Sequence, residues 1–476
     1  MPGPIELNNK RVLVVGLART GVATASFCAA RGAVVSATES RPESEVADAA
    51  AKLRAAGVLL ELGGHKQETF LRQDLIIPSP GVPAQAPLLR AAHAKGITIW
   101  SEIELAYRFL PLDSRLIGIT GSNGKTTTTS LIAHILQSHG LPAILAGNIG
   151  TPLISKLDEI HPGTYIATEL SSFQLELIES FRPSIAVLLN LTPDHLDRHG
   201  SMEAYGRAKA RIFENQRASD AAILNADDAP SVGIAPSRPR VFWFSRKKSV
   251  DRGAFLRGQD IVFHSNDPGR EEVLLRMQDI KLPGAHNLEN VLAAAAAARI
   301  AGVDPKAIPN AVRTFPGVEH RLEFVAEIAG VRYFNDSKAT NVDATLKALD
   351  AFPGRIFVIL GGKDKASDYT LLRNSLRQKA ILALLIGTAA EKIESQIAGS
   401  VAIERAGTLD QAVEVASHAA RPGDIVLLAP ACASFDQFEN YEHRGRVFKQ
   451  LVRRLEHAAG ATAAVSARTA PTGSQG

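Results

Sequence analysis

Short runs of β-branched and aliphatic residues alternate along this chain with longer Ala-rich segments of helical period, in three successive stretches. The first holds RVLVVG (11–16), AVVSATE (33–39) and DLIIPSPG (74–81). The second opens at LIGIT (116–120), continues through YIATE (165–169), IAVLLN (185–190) and AAILN (221–225), and ends in a helix around LAAAAAARI (292–300). The third runs from VRYFND (331–336) through RIFVILGG (355–362) and ILALLIG (381–387) to DIVLLAP (424–430). Apolar strands without polar alternation, each followed by a helical pattern, predict mainly parallel sheets with helices on both faces. Pro and Gly interrupt the pattern at FLPLDS (109–114) and TFPGVEH (314–320), which predicts domains at 1–112, 113–317 and 318–458. Between 231 and 280 the runs VFWF, IVF and EVLLRM predict a small antiparallel excursion. Residues 459–476 are small and polar with Pro and Gly, and predict a disordered tail.

Composition narrows the class. A chain of 476 residues suits about three domains of ~150 residues. A net charge of +4, spread along the sequence, argues against a nucleic-acid binder. No apolar run approaches the ~20 residues of a membrane span, and MPGPIELNNK lacks a signal-peptide core. The two cysteines, Cys28 and Cys432, are too far apart in sequence to suggest a disulfide framework. A soluble cytoplasmic protein is expected.

In open α/β sheets, ligands bind beyond the carboxyl ends of strands, so the residues there carry the candidate chemistry. After LIGIT comes GSNGKTTTT (121–129) and a helical segment. Glycines let backbone N–H groups face an anion, Lys125 can reach terminal phosphates, and the Thr126 hydroxyl can ligate magnesium. The strict phosphate-loop pattern is not met, since its first glycine position falls on Ile119. Glu169 ends YIATE, and Asp194 and His195 follow IAVLLN; both suit Mg²⁺ or Mn²⁺. GLARTG (16–21) resembles a dinucleotide fingerprint with Ala18 in place of its central glycine, and Glu39 ends the next strand. That pattern predicts a phosphate- or ribose-bearing ligand without specifying NAD. In the third stretch, NDSKATN (335–341), GGKDKASD (361–368) and APACASFDQFENYEHRG (429–445) follow strands. Lys338, Thr340, Lys365 and Ser434 there suit a carboxylate-bearing ligand.

AYGRAKARIFE (204–214) places Lys209 on one helical face with Tyr205, Ile212 and Phe213, while Arg207 and Arg211 read as surface charges. An ammonium in an apolar stripe must snorkel, find partners or lose its proton.

Together these strings resemble the Mur ligases, which form amide bonds with ATP in building peptidoglycan precursors. The resemblance spans roughly residues 10–455 through GSNGKTT, GNIG (147–150), ELSSFQLE (169–176), NLTPDHLDRHG (190–200), AKARIFEN (208–215), GAHNLEN (284–290), HRLE (320–323), NDSKATN, GGKDK and PACASFDQFENYEHRG. It implies an α/β fold of three domains: a Rossmann-like N-terminal domain, a central P-loop ATPase-type parallel sheet and a C-terminal Rossmann-like domain. ELSSFQL, NDSKATN and the PACAS string point to the branch that adds D-glutamate to UDP-N-acetylmuramoyl-L-alanine.

The resemblance implies roles residue by residue. Gly121, Ser122, Asn123, Gly124, Lys125, Thr126 and Thr127 would hold ATP phosphates, with Asn287, Asn290, Arg321 and Asp336 also on the nucleotide. Thr126, Glu169, His195 and Lys209, the last as an N6-carboxylysine, would hold two Mg²⁺ ions. Arg19, Thr20, Glu39, Ser40, Arg41, Gly81 and Asn148 would bind the UDP substrate. Thr340, Lys365, Ser434, Phe435 and Tyr441 would bind glutamate, and Lys338 would act with Lys125, His195 and Lys209 in catalysis. Glu39 stands where aspartate is common, Phe435 where leucine is common, and Ala429 where serine often begins the PACAS string. A cytoplasmic monomer is implied, with no nucleic-acid partner and no membrane insertion, whose third domain closes over bound ATP. The residues alone leave open the glutamate enantiomer, a related ligase using another amino acid, and a nucleotide-switched sensor.

Overall fold

The computed structural model describes residues 5–148, 151–265, 271–364 and 367–468, with Asp197 and the last ten described by backbone alone. Three sheets form. The first has five parallel strands in the order Leu59–Leu62, Val34–Glu39, Arg11–Val15, Leu75–Pro78, Thr98–Ile99. Strand order reverses at Arg11–Val15, which opens a crevice at Gly16. Helix Arg19–Ala29 starts hard against that end: a Cβ on residue 21 would fall 1.8 Å from the Gly16 carbonyl oxygen, so only glycine fits.

The central sheet has nine strands, in the order Glu271–Arg276, Asp260–His264, Gly253–Arg257, Arg240–Ser245, Ala221–Asn225, Ile185–Leu188, Arg115–Thr120, Tyr165–Glu169, Ala143–Gly147. Only the Gly253–Arg257/Asp260–His264/Glu271–Arg276 pairings are antiparallel. The expected excursion is therefore smaller than its sequence span, because VFWF lies in a strand parallel to Ala221–Asn225 and extends the main sheet. Strand order reverses at Arg115–Thr120, so the loop at 121, Glu169 and Asn190 emerge on one edge. Helix Ala285–Ile300 is enclosed all round from Val291 to Ala298, where alanines allow close packing.

The third sheet has six strands, Glu323–Ile328, Val331–Asn335, Ile425–Leu428, Ile356–Gly361, Ala380–Ile386 and Ala402–Gly407, antiparallel only between the first two. Helix Tyr441–Arg468 continues ten residues into the stretch 459–476, whose alanines favour helix. Residues 469–476 lie outside those described.

The chain divides into two compact units, 1–281 with 286–315, and 282–285 with 316–476. The first and central sheets share the first unit, tied by the buried helix Glu102–Arg108. The Glu104 carboxylate accepts from the backbone N–H groups of Glu179, Ser180 and Phe181 at 2.9, 3.0 and 2.8 Å, and from Arg108 at 2.8 Å. Glu102 accepts from the Ile154 N–H at 2.7 Å, and burial pushes its carboxyl up to about 7. Both cysteines are buried and free. Among the described residues no helix is long and apolar enough to cross a membrane.

Candidate active site

The loop at 121–124 is a main-chain cradle held from below. Ser122 N–H donates to the Asn190 carbonyl (3.0 Å), Ser122 Oγ to the Thr192 carbonyl (2.9 Å), and Asn123 N–H to Asn190 Oδ1 (2.9 Å). Gly124 takes the left-handed conformation (φ 85°) as the helix Lys125–Ser138 begins, with no side chain capping that helix. A Cβ there would fall 2.2 Å from Asn290 Oδ1, so the asparagine-bearing helix packs directly on the turn. Asn290 also accepts from Thr128 Oγ1 (3.3 Å) and donates to Asn287 (3.1 Å). Helix N-terminal N–H groups without a side-chain cap favour an anion.

Thr126 and Glu169 meet: Thr126 Oγ1 donates to Glu169 Oε2 at 2.9 Å, and Asn148 Nδ2 to Glu169 Oε1 at 3.1 Å. A hydroxyl and a carboxylate side by side fit a hard divalent cation. Ile149 and Gly150 lie outside the described residues.

Lys209 is enclosed, at 2% exposure, and Tyr205, Ile212 and Phe213 of the same stripe are buried too. The snorkelling alternative therefore fails. Its Nζ donates to the Gly121 carbonyl (2.9 Å) and to Thr120 Oγ1 (3.3 Å), and lies 4.7 Å from the Tyr205 ring centre. Lys125 Nζ donates to the same Gly121 carbonyl at 2.9 Å. Burial, and then Lys125, hold the Lys209 amine well below the usual lysine range. Arg211 is not the surface charge expected: it donates to the carbonyls of Glu176 and Ile178.

His195 sits in the left-handed region (φ 52°) at the start of helix Leu196–His199, half exposed, 3.5 Å from Asp194 and edge-on to Phe173. Among the described residues no three His, Cys, Asp or Glu side chains converge as a metal site. The expected four-residue set contains only two such side chains, so it depends on Thr126 and on a carboxylated Lys209.

At the first sheet's edge, Glu39 accepts from the Leu17 N–H (2.8 Å) and pairs with Arg41 (3.0 Å). Arg41 chiefly holds that carboxyl down to about 2. Arg19, Thr20, Ser40, Arg41 and Gly81 line the same edge, exposed or half-buried. Arg198, unassigned from sequence, donates to the carbonyls of Pro80 (2.8 Å) and Val82 (3.0 Å), joining this edge to the central sheet. Its DRH string offered no periodic signal for that role.

In the second unit, Asp336 accepts from the Leu322 N–H (3.3 Å) and burial pushes it up to about 7. Arg321 Nε is buried without a partner among the described residues. Lys338 Nζ lies 5.4 Å from the Tyr441 ring centre, and Thr340 N–H donates to the Lys338 carbonyl (2.8 Å). Ser434 is 2% exposed and its Oγ has no partner among the described residues. Phe435 is 66% exposed. Lys365 lies outside the described residues.

Family patterns match along the chain: "Mur ligase MurD-like, N-terminal domain" over residues 10–101, "Mur ligase middle domain" over 119–298 and "Mur ligase, glutamate ligase domain" over 320–432. The UDP-N-acetylmuramoylalanine–D-glutamate ligase of Koribacter versatilis is 52% identical over 95% of this chain and 99% of its own length. The enzyme of that name from Acidobacterium capsulatum is 53% identical over 94% and 97%. Among solved structures, the MurF ligase of Thermotoga maritima in complex with ADP superposes with a TM-score of 0.57 at 17% identity, covering 94% of this chain and 100% of that one. The UDP-N-acetylmuramate-alanine ligase of the same organism gives 0.56 at 20% identity, covering 94% and 100%. At such identities the structural likeness concerns the fold.

Proposed function

The chain belongs to the Mur ligase family, and from that premise we propose that it is the ATP-dependent ligase joining D-glutamate to UDP-N-acetylmuramoyl-L-alanine. The observation that carries this reading is the Lys125, Thr126, Glu169 and Lys209 cluster around one main-chain cradle. A carboxylate is a poor electrophile, so ATP first phosphorylates the alanine carboxylate; the glutamate amine then attacks the acyl phosphate and phosphate leaves.

The residues divide that work. The N–H groups of 121–127 and Lys125 cradle the terminal phosphates and offset charge as it builds on them. Asn287, Asn290, Arg321 and Asp336 hold the nucleoside end. Thr126 and Glu169 would hold one Mg²⁺, and His195 with a carboxylated Lys209 a second. When bound, the metal offsets phosphate charge at the reacting centre. Burial lowers the amine's pKa and so favours its neutral form, which can add CO₂ with loss of a proton; that would supply Lys209 with the carboxylate. Residues 1–112 take the UDP substrate through Arg19, Thr20, Glu39, Ser40, Arg41 and Gly81, with Asn148 and His195 along its path. Residues 113–317 bind ATP. Residues 318–458 take glutamate through Thr340, Lys365, Ser434, Phe435 and Tyr441, with Lys338 acting in catalysis near the γ-phosphate. The enzyme acts as a cytoplasmic monomer.

The test is phosphate release with UDP-N-acetylmuramoyl-L-alanine and each glutamate enantiomer. Release with the D form alone is expected; release with neither overturns the proposal.

A further inference from the structure

Arg444 is the largest fully buried side chain among the described residues, and nothing above gives it a role. It rises from the first turn of helix Tyr441–Arg468. A buried guanidinium is costly unless its donors are filled, and here main-chain carbonyls fill them. Nη2 donates to the Ser337 carbonyl (2.9 Å), Nη1 and Nη2 share the Cys432 carbonyl (3.3 Å each), and Nη1 reaches the Ala433 carbonyl (3.5 Å). Nε donates to Ser337 Oγ (3.0 Å), which itself donates to the Tyr441 carbonyl (2.8 Å). A third loop closes on the same point: a Cβ on residue 362 would fall 3.2 Å from Arg444 Nη1 and 2.2 Å from the Ala433 carbonyl oxygen. Burial lowers the guanidinium to about 10, so it stays charged at neutral pH.

Apart from the pair to the Cys432 carbonyl, these bonds end one residue or one hydrogen bond from Lys338 or from a proposed glutamate ligand. A planar trans peptide that turns its carbonyl inward turns the next N–H the opposite way. The Ser337 carbonyl thereby sets Lys338, whose N–H reaches the His320 carbonyl (3.2 Å). The Ala433 carbonyl sets Ser434, whose buried hydroxyl has no partner among the described residues. Through Ser337 Oγ the same guanidinium fixes Tyr441, the residue beneath the Lys338 ammonium.

We infer that Arg444 is the positioning residue of the glutamate pocket, holding Lys338, Ser434 and Tyr441 in the one arrangement that receives a dicarboxylic amino acid. This rests on the ligase reading above. A lysine at 444 keeps the charge but loses the planar fork that spans two loops. In Arg444→Lys the KM for D-glutamate should rise about tenfold or more, since small displacements of positioning groups are costly. The KM for ATP, whose proposed ligands Arg321 and Asp336 lie in the same unit but receive none of the bonds Arg444 makes, should stay within about twofold. Ser337→Ala, which removes the Nε acceptor and the hydroxyl's bond to the Tyr441 carbonyl, should raise the glutamate KM about threefold, and it decides the matter if thermal melting shows Arg444→Lys unfolded. A glutamate KM unchanged in folded variants, or an ATP KM rising in parallel with it, overturns the inference alone. Wild-type protein that forms no product with glutamate overturns the ligase reading and this one together.

Discussion

Lys209 and Arg444 are each enclosed and each hydrogen-bonded to main-chain carbonyls, one in either compact unit. Their environments resolve the cost of a buried cation in opposite ways. Lys209 has two partners for three possible donors and shares the Gly121 carbonyl with a second ammonium, so its proton is the weak point. Arg444 has every nitrogen engaged and keeps its charge. The lysine is left chemically open, whereas the arginine is a fixed strut. The two carboxylates of helix Glu102–Arg108 repeat the contrast. Glu104 has its oxygens filled by three N–H groups and Arg108. Glu102 has one oxygen bonded and the other without a partner among the described residues, and is pushed up to about 7.

The largest expected effect breaks the open member of the first pair. Lys209→Ala should lower phosphate release on the order of 10³-fold, as loss of a metal-binding group at developing charge would, with partial recovery on adding a short carboxylate. A fully active variant would remove Lys209 from the reaction. Arg444→Met should leave activity too weak to resolve from instability, because it strands three buried carbonyls; urea unfolding should show a loss of about 3 kcal/mol or more. Equal stability of that variant and wild type would end the strut description.

Glu102 provides the pH test. Its carboxyl rises from 4.5 to about 7 on folding, so between those values the folded state binds the extra proton. Its contribution is fully present below pH 4.5 and is lost as pH rises through about 7, a change of about 3 kcal/mol. Urea midpoints from pH 4.5 to 8 should fall accordingly in wild type and lose that component in Glu102→Gln; parallel curves for the two proteins would refute the assignment. Least affected should be Phe435→Leu: an exposed side chain offers little, and the glutamate KM should move less than about twofold in steady-state kinetics.

The interior strands were legible because burial on both faces leaves an unbroken apolar run, as in Ile356–Gly361, every residue of which is buried. Ala402–Gly407 escaped notice for the converse reason: an edge strand tolerates exposed Glu404 and Arg405. Glu323–Ile328, with Phe324 exposed, and the short Leu59–Leu62 and Thr98–Ile99 were missed likewise. At the site, the phosphate loop and Lys209 were visible because their residue types conflict with a bland local setting. Arg211 read as an ordinary surface charge and Arg198 and Arg444 drew no role, since an arginine that caps distant carbonyls leaves no local pattern.

By itself the sequence determined the alternation of strand and helix, the strand-end motifs and the misplaced lysine, all of which rest on neighbours within a few residues. Only the tertiary structure decided which buried charges are held and which are left open. Lys209 meets Gly121 from 88 residues away and Arg444 meets Ser337 from 107, and a hydrogen bond's worth depends on whether its partners arrive with water excluded.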